Sequence, residues 1–167
     1  SFTIYDEDDK KRLLKAVVAE RGLDAQRFPP ALFASRISQA KNELVGPEQV
    51  AEQTPGPLGT LVRDVFEDYR RRMLMANAMD FDDLLGNGFR LLAEHPDVLD
   101  RYRRRFRYVH VDEYQDTNHA QYRIVQLLAG EHRNLMVVGD DDQSIYGWRG
   151  ADIRNILEFE DDFGDAE

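Results

Sequence analysis

The sequence contains no cysteine among its 167 residues. Disulfide bonds and cysteine-ligated zinc are therefore excluded as sources of stability, which suits a reducing compartment. No apolar run approaches the roughly 18 residues that a membrane-spanning helix requires. The opening residues 1–9 lack the basic and apolar regions of a secretory signal peptide and include no initiator methionine, which fits an internal fragment of a longer chain.

Lysine is scarce in this chain. The four lysines are Lys10, Lys11, Lys15 and Lys41. None of them follows glycine in the Gly-x-x-x-x-Gly-Lys-Ser/Thr pattern of a phosphate-binding loop, so the sequence does not contain that loop. The formal net charge of −10 argues against a broadly basic nucleic-acid-binding protein, unless the contact with nucleic acid is local or is completed by other segments.

Two short apolar runs in the second half of the chain each end in a group of acids. Residues 107–111 and 135–138 have strand length and strand-type side chains, and residues 120–128 between them carry apolar side chains at helical spacing. A strand–helix–strand unit predicts two parallel strands with a right-handed crossover. Sites in open parallel sheets lie beyond the carboxyl ends of the strands, where this chain places Asp112 and Glu113.

An acidic pair directly after an apolar strand has a use in nucleotide hydrolysis. Asp112 can hold Mg²⁺ through its water shell, because Mg²⁺ prefers few carboxylates together with phosphate oxygens. The adjacent Glu113 points elsewhere and can orient or deprotonate the attacking water. The alternative for these two residues taken alone is a strand end capped by solvated acids, which is the more frequent arrangement.

The rest of the chain is predicted to be largely helical. Apolar stripes predict four helices, which cover residues 6–21, 30–44, 60–78 and 80–95. Asp6 is the predicted N-cap of the first, Gly22 and Gly46-Pro47 end the first two, and Pro96 ends the fourth. The arginine-rich run over 101–107 fits either phosphate contact or the solvated face of a helix.

Three phrases of the sequence resemble motifs of one family. Residues 112–118 (Asp-Glu-Tyr-Gln-Asp-Thr-Asn) and residues 138–151 (beginning Val-Gly-Asp-Asp-Asp-Gln-Ser) resemble motifs II and III of the UvrD/PcrA/Rep group of superfamily 1 DNA helicases. Residues 77–85 (Asn-Ala-Met-Asp-Phe-Asp-Asp-Leu-Leu) resemble the motif that this group carries shortly before motif II. Segments 2–6 and 41–44 look more loosely like the accessory domain of the same family.

The resemblance implies an α/β fold that is mostly helical overall. We expect a fragment of a P-loop NTPase (RecA-like) motor domain, with the parallel strand–helix–strand unit, preceded by an all-helical accessory domain. Residues 1–76 would form the accessory (1B-like) domain. Residues 77–167 would form the second part of the first motor (1A-like) domain, without its phosphate-loop half.

The resemblance also implies roles for individual residues. The residues implied to be catalytic are Asp112, Glu113 and Gln143, with Asp112 directed toward Mg²⁺ through water. The residues implied to couple ATP to DNA are Gln115, Asp116 and Arg149. The residues implied to contact DNA are Tyr146, Trp148 and Phe81.

Two of these roles have a physical basis in the residue types. The amide of Gln143, five residues past the second strand, can bond a γ-phosphate oxygen or the attacking water and lose that bond after hydrolysis. Tyr146 and Trp148 are two residues apart, so in an extended segment their rings face the same way and can stack on unpaired bases. The alternative for these two rings is a place in the core beside Gly147 and Gly150.

The function implied is that of an ATP-dependent DNA helicase or translocase using ATP and Mg²⁺. The resemblance implies 3′-to-5′ movement on single-stranded DNA, action at single/double-strand junctions in repair or replication, and a bacterial, cytoplasmic, nucleoid-associated location. The isolated chain is expected to be inactive, because the phosphate loop and the second motor domain lie outside the sequence. The alternative is a non-catalytic DNA- or protein-binding module derived from such a helicase.

Overall fold

The computed structural model describes residues 1–140 and Phe159. The chain divides into two compact units, Ser1–Leu84 and Leu85–Glu167. The assignment of an accessory domain to residues 1–76 and of a motor domain to residues 77–167 stays a prediction. Among the described residues, no helix combines the length and the apolar character needed to cross a bilayer.

The first unit consists of helices and one small parallel sheet, so the expectation of an all-helical first part is wrong at Thr3–Ile4. Its elements are β1 (Thr3–Ile4), α1 (Glu7–Glu20), α2 (Pro30–Asn42), α3 (Pro47–Gln53), α4 (Pro57–Met75), β2 (Ala78–Met79) and the start of α5 (Phe81–Glu94). β1 and β2 pair in parallel, with Thr3 opposite Ala78. The four predicted helices are present, with bounds that differ from the prediction by a few residues.

The first helix begins and ends as its sequence predicts. The carboxylate of Asp6 accepts hydrogen bonds from the backbone N–H groups of Asp8 and Asp9, both at 2.9 Å, and so satisfies donors that the first turn leaves open. At the other end, Gly22 has φ +66°, a left-handed conformation that glycine adopts without steric cost.

A short helix between α2 and α4 was not predicted. Gly46-Pro47 indicated only the end of α2, yet Pro47 is also the first residue of α3. Proline is favoured in the first helical turn because its missing N–H would have no intrahelical partner there. The backbone of Gly59 lies close to the carbonyl group of Thr54, the residue that follows α3. Only glycine fits there, since a Cβ on residue 59 would lie 1.8 Å from the carbonyl oxygen of Thr54.

The core of the first unit lies between α1, α2 and α4. Its largest fully buried apolar side chains include Leu14, Val17, Phe33, Ile37, Val65 and Tyr69. α4 buries Val65, Tyr69 and Met73, as their helical spacing predicts. The predicted helix over 60–78 ends earlier, at Met75, and Ala76 is exposed.

The second unit contains the predicted strand–helix–strand segment. Its elements are the rest of α5, α6 (Pro96–Arg105), β3 (Val109–Val111), a 3₁₀ turn (Tyr114–Asp116), α7 (His119–Ala129) and β4 (Leu135–Val137). β3 and β4 are parallel, with Val109 opposite Leu135, so the predicted pairing is confirmed. A P-loop motor fold requires more strands than this pair, and for the described residues it stays a prediction.

The arginine-rich run forms the end of α6 and the approach to β3. Arg103 donates to the carbonyl oxygen of Leu127 at 2.8 Å and pairs with Glu131 at 3.1 Å. Arg101, Arg104 and Arg105 are exposed on the helix surface. The exposed arginines fit both alternatives, phosphate contact and the solvated face of a helix.

Candidate functional site

The chain turns sharply where β3 ends. Glu113 has φ 52° and ψ 43°, a left-handed conformation that is uncommon for a residue with a side chain. Its N–H is held by Asp112 Oδ1 at 2.9 Å, and the next N–H, that of Tyr114, donates to the carbonyl oxygen of Val138 at 2.9 Å. Backbone strain of this kind costs about 1–3 kcal/mol and persists only where the surroundings fix it. The turn leaves both acidic side chains exposed.

The side chain of Gln115 connects the ends of the two strands. Its Nε2 donates to Glu113 Oε2 at 2.7 Å, and its Oε1 accepts from the backbone N–H of Asp140 at 3.0 Å. Gln115 is only 1% exposed, whereas Glu113 and Asp140 are exposed. The acids that follow the two strands therefore lie at one edge of the sheet, as expected for parallel strands.

Asp116, the next residue implied to take part in coupling, is partly buried. Its Oδ1 is buried and has no hydrogen-bond partner among the described residues. Leaving a buried acceptor unsatisfied costs about 1–3 kcal/mol, and such atoms are few in folded proteins.

Asp112 has the chemistry that a water-mediated magnesium contact requires. Its Oδ1 accepts a hydrogen bond from the Glu113 N–H, and among the described residues Oδ2 has no hydrogen-bond partner and is open to an outside ligand. Mg²⁺ usually keeps several waters and takes one or two carboxylates together with phosphate oxygens, so a single exposed carboxylate fits. In the described part of the chain, no three acidic or histidine side chains converge on a protein-only metal site.

Phe81, implied to contact DNA, is the first residue of α5 and is 57% exposed. The helix start that carries it is fixed by reciprocal capping bonds. The N–H of Asp83 donates to Asp80 Oδ1 at 2.8 Å, and the N–H of Asp80 donates to Asp83 Oδ2 at 3.2 Å. The ring thus faces solvent from a fixed backbone, which is the arrangement that a stacking contact needs.

A buried group of charged side chains supports this helix start. Asp80 is 3% exposed, and its Oδ2 accepts hydrogen bonds from Lys41 Nζ at 2.7 Å and from the hydroxyl of Tyr69 at 2.8 Å. Lys41 also pairs with Asp83 Oδ1 at 2.8 Å and lies 4.9 Å from the centre of the Tyr69 ring.

A second lysine completes the group. Lys10, 2% exposed, pairs with Asp82 Oδ2 at 3.0 Å, and the same oxygen accepts from Ser38 Oγ at 2.7 Å. We call the whole group the lysine–aspartate cluster; its members are Lys10, Lys41, Tyr69, Asp80, Asp82 and Asp83. The cluster binds the 80–83 segment to α1, α2 and α4 through charge and hydrogen bonds.

The electrostatics of the cluster favour the charged forms of Asp80 and Lys10. Burial raises the pKa of Asp80, but the charge and hydrogen bond of Lys41 and the charge of Lys10 lower it more, so the net pKa lies below its ordinary value. Burial lowers the pKa of Lys10, and the opposing attraction of Asp82 and Asp80 leaves it above the ordinary value. Burial, followed by the charge of Asp80, raises the pKa of Tyr69, so its hydroxyl remains a donor.

Reasoning from the sequence did not find this cluster. The signal was the placement of two lysines within apolar stripes: Lys10 is four residues before Leu14, and Lys41 is four residues after Ile37. Residues four apart share a helix face, and a lysine on a buried face requires an acidic partner. The sequence does not show which of its acids provides that partner; the structure places the aspartates of the 77–85 phrase there.

Four of the implied site residues lie outside the described residues. They are Gln143, Tyr146, Trp148 and Arg149. The residues that the structure does bring together are Asp112, Glu113, Gln115 and Asp116, all within five positions of one another in the second unit. Phe81 lies in the first unit.

Comparison with known proteins identifies the family. Residues 1–164 match the family model described as the UvrD/REP helicase N-terminal domain. The chain belongs to the UvrD/REP helicase family, which agrees with the resemblance carried by its three motif phrases.

Curated relatives are named ATP-dependent DNA helicase PcrA. The chain is 47% identical to that of Staphylococcus epidermidis over 167 residues, which is 100% of this chain and 23% of the relative. It is 48% identical to that of Bacillus subtilis strain 168 over 166 residues, 99% of this chain and 22% of the relative. It is 46% identical to that of Staphylococcus aureus strain Mu50 over 166 residues, which is 99% of this chain and 23% of the relative. The chain thus spans less than a quarter of the length of these relatives.

We expect Lys41→Met to destabilise the chain by about 3–5 kcal/mol, because it removes the ammonium group that pairs with the buried carboxylate of Asp80 and the partly buried carboxylate of Asp83. Lys11→Met is the matched control, since the Lys11 side chain is 62% exposed, and its effect should stay within about 0.5 kcal/mol. Urea denaturation followed by circular dichroism measures both. Equal, small effects would show that the cluster contributes little.

The lowered pKa of Asp80 predicts a pH dependence. A group that binds protons more weakly when folded stabilises the protein above its unfolded pKa, and that stability is lost as the pH falls through its folded pKa. The free-energy difference between the wild type and Asp80→Asn should therefore be largest near neutral pH and shrink below about pH 4. Asp8→Asn, at a side chain that is 84% exposed, should show no comparable trend. A constant Asp80→Asn difference from neutral to acid would contradict the assignment.

Proposed function

We propose that this chain is part of an ATP-dependent DNA helicase that moves 3′ to 5′ on single-stranded DNA and acts at single/double-strand junctions in repair or replication. The observation that carries the proposal is the Asp112–Glu113 pair, displayed on a left-handed turn at the carboxyl end of a parallel strand. Family membership and the names of the relatives supply ATP and DNA as the ligands. A bacterial cytoplasmic location accompanies this role.

At the ATP site, each exposed acid has one task. Asp112 would hold Mg²⁺ through water, and the bound ion would neutralise charge on the phosphate oxygens. Glu113 would accept the proton of the attacking water, with its Oε2 engaged by Gln115 and its Oε1 left for that water. Gln143, on the segment that follows β4, would report the state of the γ-phosphate.

At the DNA site, Phe81 would stack on an unpaired base. Its exposure and its fixed backbone support this role, because base stacking requires a ring that is open to solvent and already held in place. Tyr146 and Trp148 would provide further stacking surfaces. Gln115, Asp116 and Arg149 would connect the two sites. With a net charge of −10, this chain would contact DNA locally rather than over a broad basic surface.

We expect Glu113→Gln, in the full-length protein that contains this segment, to keep ATP binding and lose hydrolysis by about 10²–10⁴-fold. The amide preserves size but cannot accept the water's proton, so the ground state changes little. Nucleotide affinity and single-turnover hydrolysis are the measurements. Hydrolysis at the wild-type rate would reassign Glu113 as a strand-end acid and would favour a non-catalytic module.

Phe81→Ala in the same protein should weaken single-stranded DNA binding by about 1–3 kcal/mol, equally across base compositions. The melting temperature should not change, because the ring is largely exposed. Leu74→Ala is the control: it removes another exposed apolar side chain of the first unit, 72% exposed, and should leave affinity unchanged. Unchanged DNA affinity in Phe81→Ala would remove Phe81 from the DNA site.

A further inference from the structure

Gln115 is the one buried polar side chain that touches both acid-bearing strand ends in the described part of the second unit. Its two bonds use opposite ends of the amide: Nε2 toward the Glu113 carboxylate and Oε1 toward the Asp140 N–H. These partners fix the orientation of the amide. A flipped amide would place oxygen against a carboxylate oxygen and nitrogen against a backbone donor, and both contacts would be repulsive.

The surroundings hold the amide in place. Gln115 lies on the 3₁₀ turn beside Tyr114, which is fully buried, and the hydroxyl of Thr117 donates to the Tyr114 carbonyl oxygen at 2.7 Å. Glu113 is the opposite case, because its long side chain is exposed and would otherwise sample several rotamers. A fixed donor next to a mobile carboxylate selects one position for that carboxylate.

We propose that Gln115 is a positioning residue for the Glu113 carboxylate, with the other end of its amide anchored on the backbone N–H of Asp140. This inference rests on the proposed function: the amide would fix the position of the general base relative to the backbone of Asp140, which lies three residues before Gln143 in the sequence. General-base catalysis needs the carboxylate within about 2.6–3.2 Å of the water. A misplacement of about 1 Å costs on the order of 10²-fold in rate.

The competing explanation is that Gln115 only ties the two strands together. A second amide, on an exposed residue, connects the two strands at their other end. Asn134 Nδ2 donates to the carbonyl oxygen of Arg107 at 3.0 Å, just before β4 and β3 respectively. It bridges the amino ends of the strands as Gln115 bridges the carboxyl ends, and it has no contact with Glu113.

The principal variant is Gln115→Met in the full-length protein that contains this segment. Methionine keeps nearly the same length and volume and loses both hydrogen bonds. We expect kcat for ATP hydrolysis to fall by about 10–100-fold while KM changes less than about twofold, because binding does not use the positioned carboxylate. Asn134→Ala should leave both constants within about twofold of wild type. A wild-type kcat in Gln115→Met, or an equal fall in Asn134→Ala, would overturn the proposal.

Gln115→Glu separates the two bonds. It keeps an oxygen for the Asp140 N–H but faces the Glu113 carboxylate with a second carboxylate in place of a donor. If positioning of Glu113 is the role, kcat should fall at least as far as in Gln115→Met. If the role is only to hold Asp140, Gln115→Glu should retain wild-type kcat, and that result would refute the proposal even where Gln115→Met fails to fold.

A double-mutant cycle distinguishes failure of this proposal from failure of the proposed function. Once Glu113→Gln has removed the base, adding Gln115→Met should reduce kcat no further. If kcat of the double variant instead fell by the product of the two single-variant factors, Gln115 would act on something other than Glu113. Wild-type hydrolysis in Glu113→Gln alone would instead refute the role of Glu113.

A structural measurement is independent of activity. In the 167-residue chain, hydrogen exchange of the Asp140 amide should accelerate in Gln115→Met and remain at the wild-type rate in Asn134→Ala. Unchanged Asp140 exchange in Gln115→Met would show that the bridge is absent in solution.

Discussion

Two buried ammonium groups impose the constraint on which the organisation of the first unit depends. Lys10 is 2% exposed, and the side chain of Lys41 is 9% exposed. Removing a cation from water costs several kcal/mol, and only close, hydrogen-bonded carboxylates offset that penalty. The 80–83 segment supplies them at 2.7–3.0 Å. These ion pairs hold the start of α5 in place. The backbone of Phe81 is therefore fixed although its ring is exposed.

The second unit fixes its candidate site by a different means. Parallel pairing brings the ends of β3 and β4 to one edge, and the left-handed turn at Glu113 directs two carboxylates into solvent. Exposed carboxylates are mobile unless something holds them, and the buried amide of Gln115 is placed to do so. The left-handed backbone of Glu113 and the shared amide of Gln115 lie within three residues of each other, and backbone strain of this kind persists only where the surroundings fix it.

Local rules accounted for much of the fold. Asp6 and Gly22 bounded α1, and helical spacing selected Val65, Tyr69 and Met73 for the core, because capping and amphipathicity depend on neighbours within one or two turns. The parallel pairing of residues 109–111 with residues 135–137 followed from two strands joined by a helix. The helix that begins at Pro47 was missed, because the same residue type ends one helix and begins another.

The sequence by itself determined the family, through three phrases at fixed spacing, and the position of the acids at the strand ends. Only the tertiary structure decided how side chains far apart in the sequence combine. Lys10 meets Asp82 and Lys41 meets Asp80 across tens of residues, and Gln115 reaches Asp140 across another 25. No local rule selects one acid among the 32 acidic residues of the chain for a given lysine. The selection follows from packing, because only a carboxylate that the folded chain brings beside a buried cation can replace the water that the cation has lost.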